Sequence, residues 1–261
     1  KDGVKYPVEG ILSYAFYGED ISSVKIPNSV KNMDENAFEG IKKPFDVTFS
    51  ANSKLKNLPD GAFAGSKIKS IELPETLETI GDRVFYGAAI KSITIPDSVK
   101  AIGSSAFYDS NLENITFGGN SKLEVIGIGA FGSTPLKAII LPDTVKTIGG
   151  SAFYGTQLKT ITIPDSVTTI VDDAFKDTYI LKEIKIPTKN RGEITGEPWG
   201  NKVGLVSWKD DLKIGPYVYD VTQKKIVKYI GTTPGAELDI PNQLEKDGVK
   251  YPVEGILSYA F

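Results

Sequence analysis

The sequence has no cysteine and no histidine, and only two arginines. Those absences exclude thiolate nucleophiles, Ser-His and Cys-His pairs, thiolate zinc sites and imidazole metal ligands together. There is no excess of positive charge either. The formal net charge is -3 and the isoelectric point about 5.3, so no basic field is available for a phosphate backbone or an anionic membrane. No apolar run approaches the roughly 18 residues that a spanning helix needs, and no charged-then-apolar leader is present. Because Lys1-Asp2-Gly3 opens in mid-pattern, targeting signals are expected outside this stretch. Neither a Gly-rich phosphate loop nor an oxygen-rich calcium loop is found. The only acid-base candidates are adjacent carboxylates, Asp172-Asp173 and Asp210-Asp211, and neighbours on a turn usually diverge into solvent. The expectation is a non-enzyme without catalytic residue, cofactor or metal.

What is present is repetition. With 40% apolar and 24% charged residues the 261-residue chain is composed as a folded protein. Phenylalanine recurs at 16, 38, 63, 85, 107, 131, 153 and 175, at spacings of 22 to 25 residues. Alanine stands directly before it at 15, 37, 62, 106, 130, 152 and 174, with Val84 the exception. A small residue beside a large one, kept in register this long, marks a packing position that every coil repeats.

A second pattern accompanies this anchor: Leu or Ile, two variable residues, Ile, one variable residue, Ile, Pro. Ile90 to Pro96 and Leu158 to Pro164 are examples. Alternating β-branched residues predict a strand, and proline, which cannot donate to a ladder, ends it. Asp-Ser or Asp-Thr then starts a turn, and Val-x-x-Ile, as in Val99 to Ile102, has a spacing suited to one helical turn. The reading is an α/β solenoid of about eight coils over residues 1–187, with one parallel concave sheet and short convex turns. Ile93, Ile115, Ile139 and Ile161 should form one buried row and the phenylalanines another. Two insertions, Asn52 to Leu55 and Asn120 to Leu123, lengthen individual coils without breaking the pattern.

The arrangement I-P-x-S-V-x-x-I-x-x-x-A-F followed by L-x-x-I-x-I-P resembles the BspA-like family of leucine-rich repeats, over about residues 11 to 187. Like that proline-and-phenylalanine type, it lacks the buried asparagine ladder of the common leucine-rich repeat. The resemblance implies an extracellular, cell-surface protein that binds a protein or glycan on a host or neighbouring cell.

After Pro187 the period stops. Residues 188–213 hold both tryptophans, Trp199 and Trp208, read as a cap over the last coil; a P-W-G segment in this place is also what the resemblance implies. Residues 214–261 are read as a small β element, Tyr217 to Val221 and Ile226 to Ile230, and then the start of a new unit. Residues 246–261 are identical to residues 1–16, an offset of 245 residues. The parent protein is therefore expected to be a tandem array. Ile21 to Ile26 is expected to be an open sheet edge, favouring head-to-tail self-association.

For binding, the outward strand positions matter: Ser92, Thr94, Asn114, Thr116, Thr160 and Thr162 form the centre of two small polar columns. Their hydroxyls suit a glycan or an extended peptide, and threonine is equally what β-propensity favours on a sheet. Lys69, Lys91, Lys137, Lys159 and Lys182, interrupted by Glu113, run beside them. Tyr17, Tyr86, Tyr108 and Tyr154 follow the core phenylalanine, either lining a flank as binding residues or packing between coils. Neither nucleic acid nor membrane insertion is expected.

Overall fold

The computed structural model describes residues 7–186, 206–208, 211–214, 217–220, 225–229, 243–246 and 249–256. Residues 7–186 wind into a stack of coils, each contributing one strand of two residues and, in all but the coil of residues 125–141, one longer strand of three to five residues. The longer strands are the predicted ones: Ser23–Ile26, Phe45–Phe49, Ile68–Ile71, Ser92–Ile95, Asn114–Phe117, Thr160–Thr162 and Glu183–Ile186. Every pairing between them is parallel and nearly in register, as with Ile115 opposite Ile93 and Thr116 opposite Thr94.

The second ladder corrects the expected helical turn. Among the described residues there is no helix; Val-x-x-Ile instead ends in a two-residue strand. Asn57–Leu58, Thr79–Ile80, Ala101–Ile102, Val125–Ile126, Thr147–Ile148 and Thr169–Ile170 form one six-stranded parallel sheet. The reason lies in where the amides point. Lys100 N–H donates to Glu78 carbonyl at 2.8 Å and Gly103 N–H to Ile80 carbonyl at 2.8 Å, so they bond one coil back and not four residues back. The solenoid is all-β in its described residues, and the α/β expectation does not hold.

The Ala-Phe segment closes the coil through two consecutive tight turns. Around Phe107, Tyr108 N–H bonds to Ser105 carbonyl and Ser110 N–H to Phe107 carbonyl, both at 3.1 Å. Each turn needs a left-handed residue, and these fall two before and two after the phenylalanine. In this coil they are Ser105 (φ 53°) and Asp109 (φ 58°). Two coils away Gly61 and Gly65 fill the same places, the residue that tolerates them at least steric cost.

The core is a continuous row. From Phe16 to Phe175 each ring stacks on the next, with centroids 4.7 to 5.6 Å apart and planes within 18°. Ile93, Ile115, Ile139 and Ile161 are buried as a second row. Three residues after the phenylalanine, short hydroxyl side chains close the turn. Thr134 Oγ1 donates to Phe131 carbonyl at 2.7 Å and Thr156 Oγ1 to Phe153 carbonyl at 3.0 Å. The two insertions are anchored by the following coil: Thr76 Oγ1 donates to Ser53 and Leu55 carbonyls, and Thr144 Oγ1 to those of Ser121 and Leu123.

The longer strands do not make the single sheet expected from the repeat. They form three blocks, ending after Ile68–Ile71 and Asn114–Phe117 and resuming at Thr160–Thr162. Residues 138–141 carry the strand pattern but no strand pairing. Just upstream, Lys67, Ala89 and Asn111 donate to Ile41, Ser66 and Ala88 carbonyls in other coils; Pro135 takes that place here and has no N–H to donate.

Beyond the solenoid, Val206–Trp208 adds a parallel strand to Glu183–Ile186, in the segment read as a cap; Trp199 lies outside the described residues. Asp211–Ile214, Tyr217–Asp220 and Lys225–Tyr229 follow as an antiparallel meander, close to the predicted β element. Leu238-Asp239-Ile240-Pro241, a further copy of the strand-and-proline signature, lies outside the described residues. Gln243–Lys246 pairs antiparallel with Val249–Pro252, and Gly255–Ile256 pairs parallel with Lys225–Ile226.

Candidate interaction surface

Strand alternation turns every second residue outward, and Ser92, Thr94, Asn114, Thr116, Thr160 and Thr162 are all exposed. They are not equivalent. Thr94 and Thr116 hydroxyls bond each other at 2.9 Å, so this pair is internally satisfied. Further toward the first coil, Asp46 accepts from Ser70 and pairs with Lys69 at 3.1 Å. These two hydrogen bonds, Ser70 first, hold its carboxyl below the ordinary range.

Between Thr116 and Thr162 the column holds Ile140, 89% exposed. It stands between two surface crevices. One, of about 940 Å³, is lined by residues that include Asn114, Thr116, Ile140 and Asp143. The other, of about 660 Å³, includes Ile140, Asp143, Thr160, Thr162 and Asp165. Four of the six predicted strand residues are thus gathered around one outward isoleucine; Ser92 and Thr94 line neither crevice. By the repeat period Ile140 falls in the column of Thr94, Thr116 and Thr162. The signal was available, since Ala138-Ile139-Ile140-Leu141 replaces apolar-polar alternation with four apolar residues.

The tyrosines lie on another part of the coil, after the phenylalanine, and line neither crevice. Tyr86 and Tyr108 stack at 5.7 Å, with the Arg83 guanidinium 4.9 Å over the Tyr86 ring. Both are half-buried, so they pack between coils while keeping one exposed edge. The stack stops at Gly132, where the next coil has no side chain: a β-carbon there would lie 2.6 Å from the Tyr108 ring. Tyr154 begins a separate cluster with Tyr179. Both phenols are raised above their ordinary range, chiefly by hydrogen bonding to the Asp177 carboxylate. The lysine stripe is partly neutralised, Lys69 by Asp46 and Lys91 by Glu113 at 3.6 Å. Among the described residues no cluster of three acidic, histidine or cysteine side chains could hold a metal ion, and no helix is long and apolar enough to cross a membrane. Of the paired carboxylates, Asp173 binds Lys176 at 3.2 Å.

Comparison with known proteins agrees with this architecture. The BspA type leucine rich repeat region matches in 6 copies over residues 9–124 and 124–196. A crystal structure of a leucine-rich repeat protein from Bacteroides ovatus ATCC 8483 is 28% identical with a TM-score of 0.55. The match covers 78% of this chain and 61% of that one, so the chain spans less than two thirds of that protein's length. A leucine rich cell surface protein from Faecalibacterium prausnitzii A2-165 is 21% identical over 80% of this chain and 85% of that one, with a TM-score of 0.29. The leucine-rich repeat protein of T. pallidum is 22% identical over 78% and 76%, with a TM-score of 0.40. No curated protein matches. With its repeats covered by six copies of the family pattern and folded as a parallel-strand solenoid, the chain belongs to the BspA-type leucine-rich repeat family.

Proposed function

We propose that this chain is a cell-surface interaction protein without catalytic activity, which holds a protein or glycan ligand across the longer-strand face at Ile140. The observation that carries this reading is the exposed isoleucine flanked by two crevices with threonine hydroxyls on both sides. An apolar anchor ringed by polar groups is how binding hot spots are composed, and pockets with few convergent polar groups suit small or extended ligands. The absence of histidine and cysteine from the sequence supports the non-catalytic part, and the family resemblance supports the surface location.

The test is saturable binding of the chain to a panel of immobilised matrix proteins and glycans. Binding that weakens at least tenfold in Ile140→Asp and in Thr116→Glu, with thermal unfolding unchanged, supports the reading. Binding that survives both substitutions moves the ligand elsewhere. A second reading, a spacer with no ligand of its own, is favoured by the 16-residue identity between residues 1–16 and 246–261; silence across the panel supports it.

A further inference from the structure

Residues 1–16 and 246–261 are one sequence, and the structure shows it in two settings. In the first copy Gly10–Ile11 pairs parallel with Asn32–Met33, in the coil that follows. In the second copy Gly255–Ile256 pairs parallel with Lys225–Ile226, in the element that precedes. In the six-stranded sheet an interior two-residue strand has both kinds of partner at once: Ala101–Ile102 pairs with Thr79–Ile80 before it and Val125–Ile126 after it.

In the first coil, whose Gly10–Ile11 strand has no preceding partner among the described residues, several apolar side chains are uncovered. Val8 is 55%, Leu12 73% and Tyr14 55% exposed. Ala15 is exposed, whereas alanine before the phenylalanine is fully buried at 37, 62, 106, 130, 152 and 174. Among the described residues Phe16 stacks on Phe38 alone. Ser23–Ile26 is likewise the edge of its sheet, paired only with Phe45–Phe49 among the described residues. In the second copy, Val253, counterpart of the exposed Val8, is half-buried.

We propose that this segment is a joint between consecutive units: its Gly-Ile strand lies between the Lys225–Tyr229 strand of one copy and the Asn32–Met33 strand of the next, so that strand pairing runs on from the meander of one unit into the first coil of the following one. The occupant of the exposed end of the first coil is the meander of a preceding copy of this chain. The contact is heterologous and does not close on itself, so it propagates as a rod. Separate chains of 261 residues associate head to tail only in competition with their own second copy, which already occupies Lys225–Ile226.

The test is a two-unit protein in which residues 1–245 precede the complete 261-residue chain. The chain has no native cysteine, so introduced pairs are unambiguous. One variant carries Lys225→Cys with Gly255→Cys at the joint; the other carries Gly255→Cys with Asn32→Cys of the second unit. Strand neighbours lie within disulfide reach, and a β-carbon at Gly10, the counterpart of Gly255, would meet nothing closer than Asn32 carbonyl at 3.7 Å. Near-complete crosslinking in both variants is expected. Failure of either pair, in protein whose thermal unfolding matches the parent, overturns the joint, because it would mean the two partners compete for one edge. X-ray scattering supplies a second readout. The two-unit protein should fit one stiff rod, and Ile256→Asp should broaden it into two bodies without moving the unfolding midpoint of the solenoid; two independently oriented bodies before substitution also overturn it.

Discussion

The amide of Phe107 donates to the carbonyl of Ala130 at 2.8 Å, so each phenylalanine is tied to the residue just before its counterpart in the next coil. The same bond runs from Phe85 to Ala106 at 2.7 Å and from Phe131 to Ala152 at 2.8 Å. It accounts for the small residue of the pair: backbone from one coil approaches the next at this place, and a methyl group fits the closed space. Val84, also fully buried, shows that a modest enlargement is accommodated at one coil.

Removing a ring from the middle of the row should be among the costliest single changes. Phe107 stacks on both Phe85 and Phe131 and is fully buried. Phe107→Ala is expected to lower stability by about 3–5 kcal/mol through lost transfer energy and an unfilled cavity. Urea unfolding followed by circular dichroism measures it, and a loss below about 1 kcal/mol would mean that the coils collapse onto the gap.

Three residues after the phenylalanine, the hydroxyl side chains divide into two groups. Thr156 bonds Phe153 carbonyl, whereas the buried Ser66 and Ser110 hydroxyls have no partner among the described residues. Ala88 occupies this place in the intervening coil. Ser66→Ala should therefore leave stability unchanged or raise it by about 1 kcal/mol, while Thr156→Ala should lower it by about 1–2 kcal/mol. The opposite order in denaturant midpoints would show that the serine hydroxyls find partners in solution.

Glu78 is held by Lys100 at 2.8 Å and Lys56 at 3.0 Å. Hydrogen bonds from these two lysines, Lys100 foremost, lower its carboxyl from 4.5 to about 2. A depressed folded value stabilises the protein while the carboxylate is ionised. That contribution is complete above the ordinary value of 4.5 and is lost as pH falls through about 2. Carbon-detected NMR titration should find the Glu78 midpoint near 2, and Glu78→Gln should flatten the acid limb of the stability profile in that window. A midpoint near 4.5 would show the ion pairs to be open in solution.

Gly132 ends the tyrosine stack by leaving room for the Tyr108 ring. Gly132→Ala should force that ring away from Tyr86 and cost about 1–3 kcal/mol, as overpacking does. The near-ultraviolet circular dichroism of the tyrosines reads the displacement; an unchanged spectrum would show that the ring has space to yield.

Period, strand positions and both buried rows were legible from the chain alone, because packing repeats at one spacing and only a stacked solenoid buries it. The family followed from the same residues. The Val-x-x-Ile spacing was compatible with a helical turn or a strand; only stacking, which offers Lys100 and Gly103 carbonyls one coil back, favoured the strand. Nor was the left-handed backbone at Arg83, Ser105 or Ser151 readable, since none is glycine and the turns around the phenylalanine impose it. The candidate face divides in the same way. Its threonines were foreseen from alternation, an intrinsic property of a strand, but which of them matter depends on distances between coils. Neighbouring coils bring Thr94 and Thr116 within bonding reach of each other, and the segment at 138–141, outside any strand, leaves Ile140 in the open between two crevices. Local periodicity specifies which way a side chain points; tertiary stacking decides what it meets there.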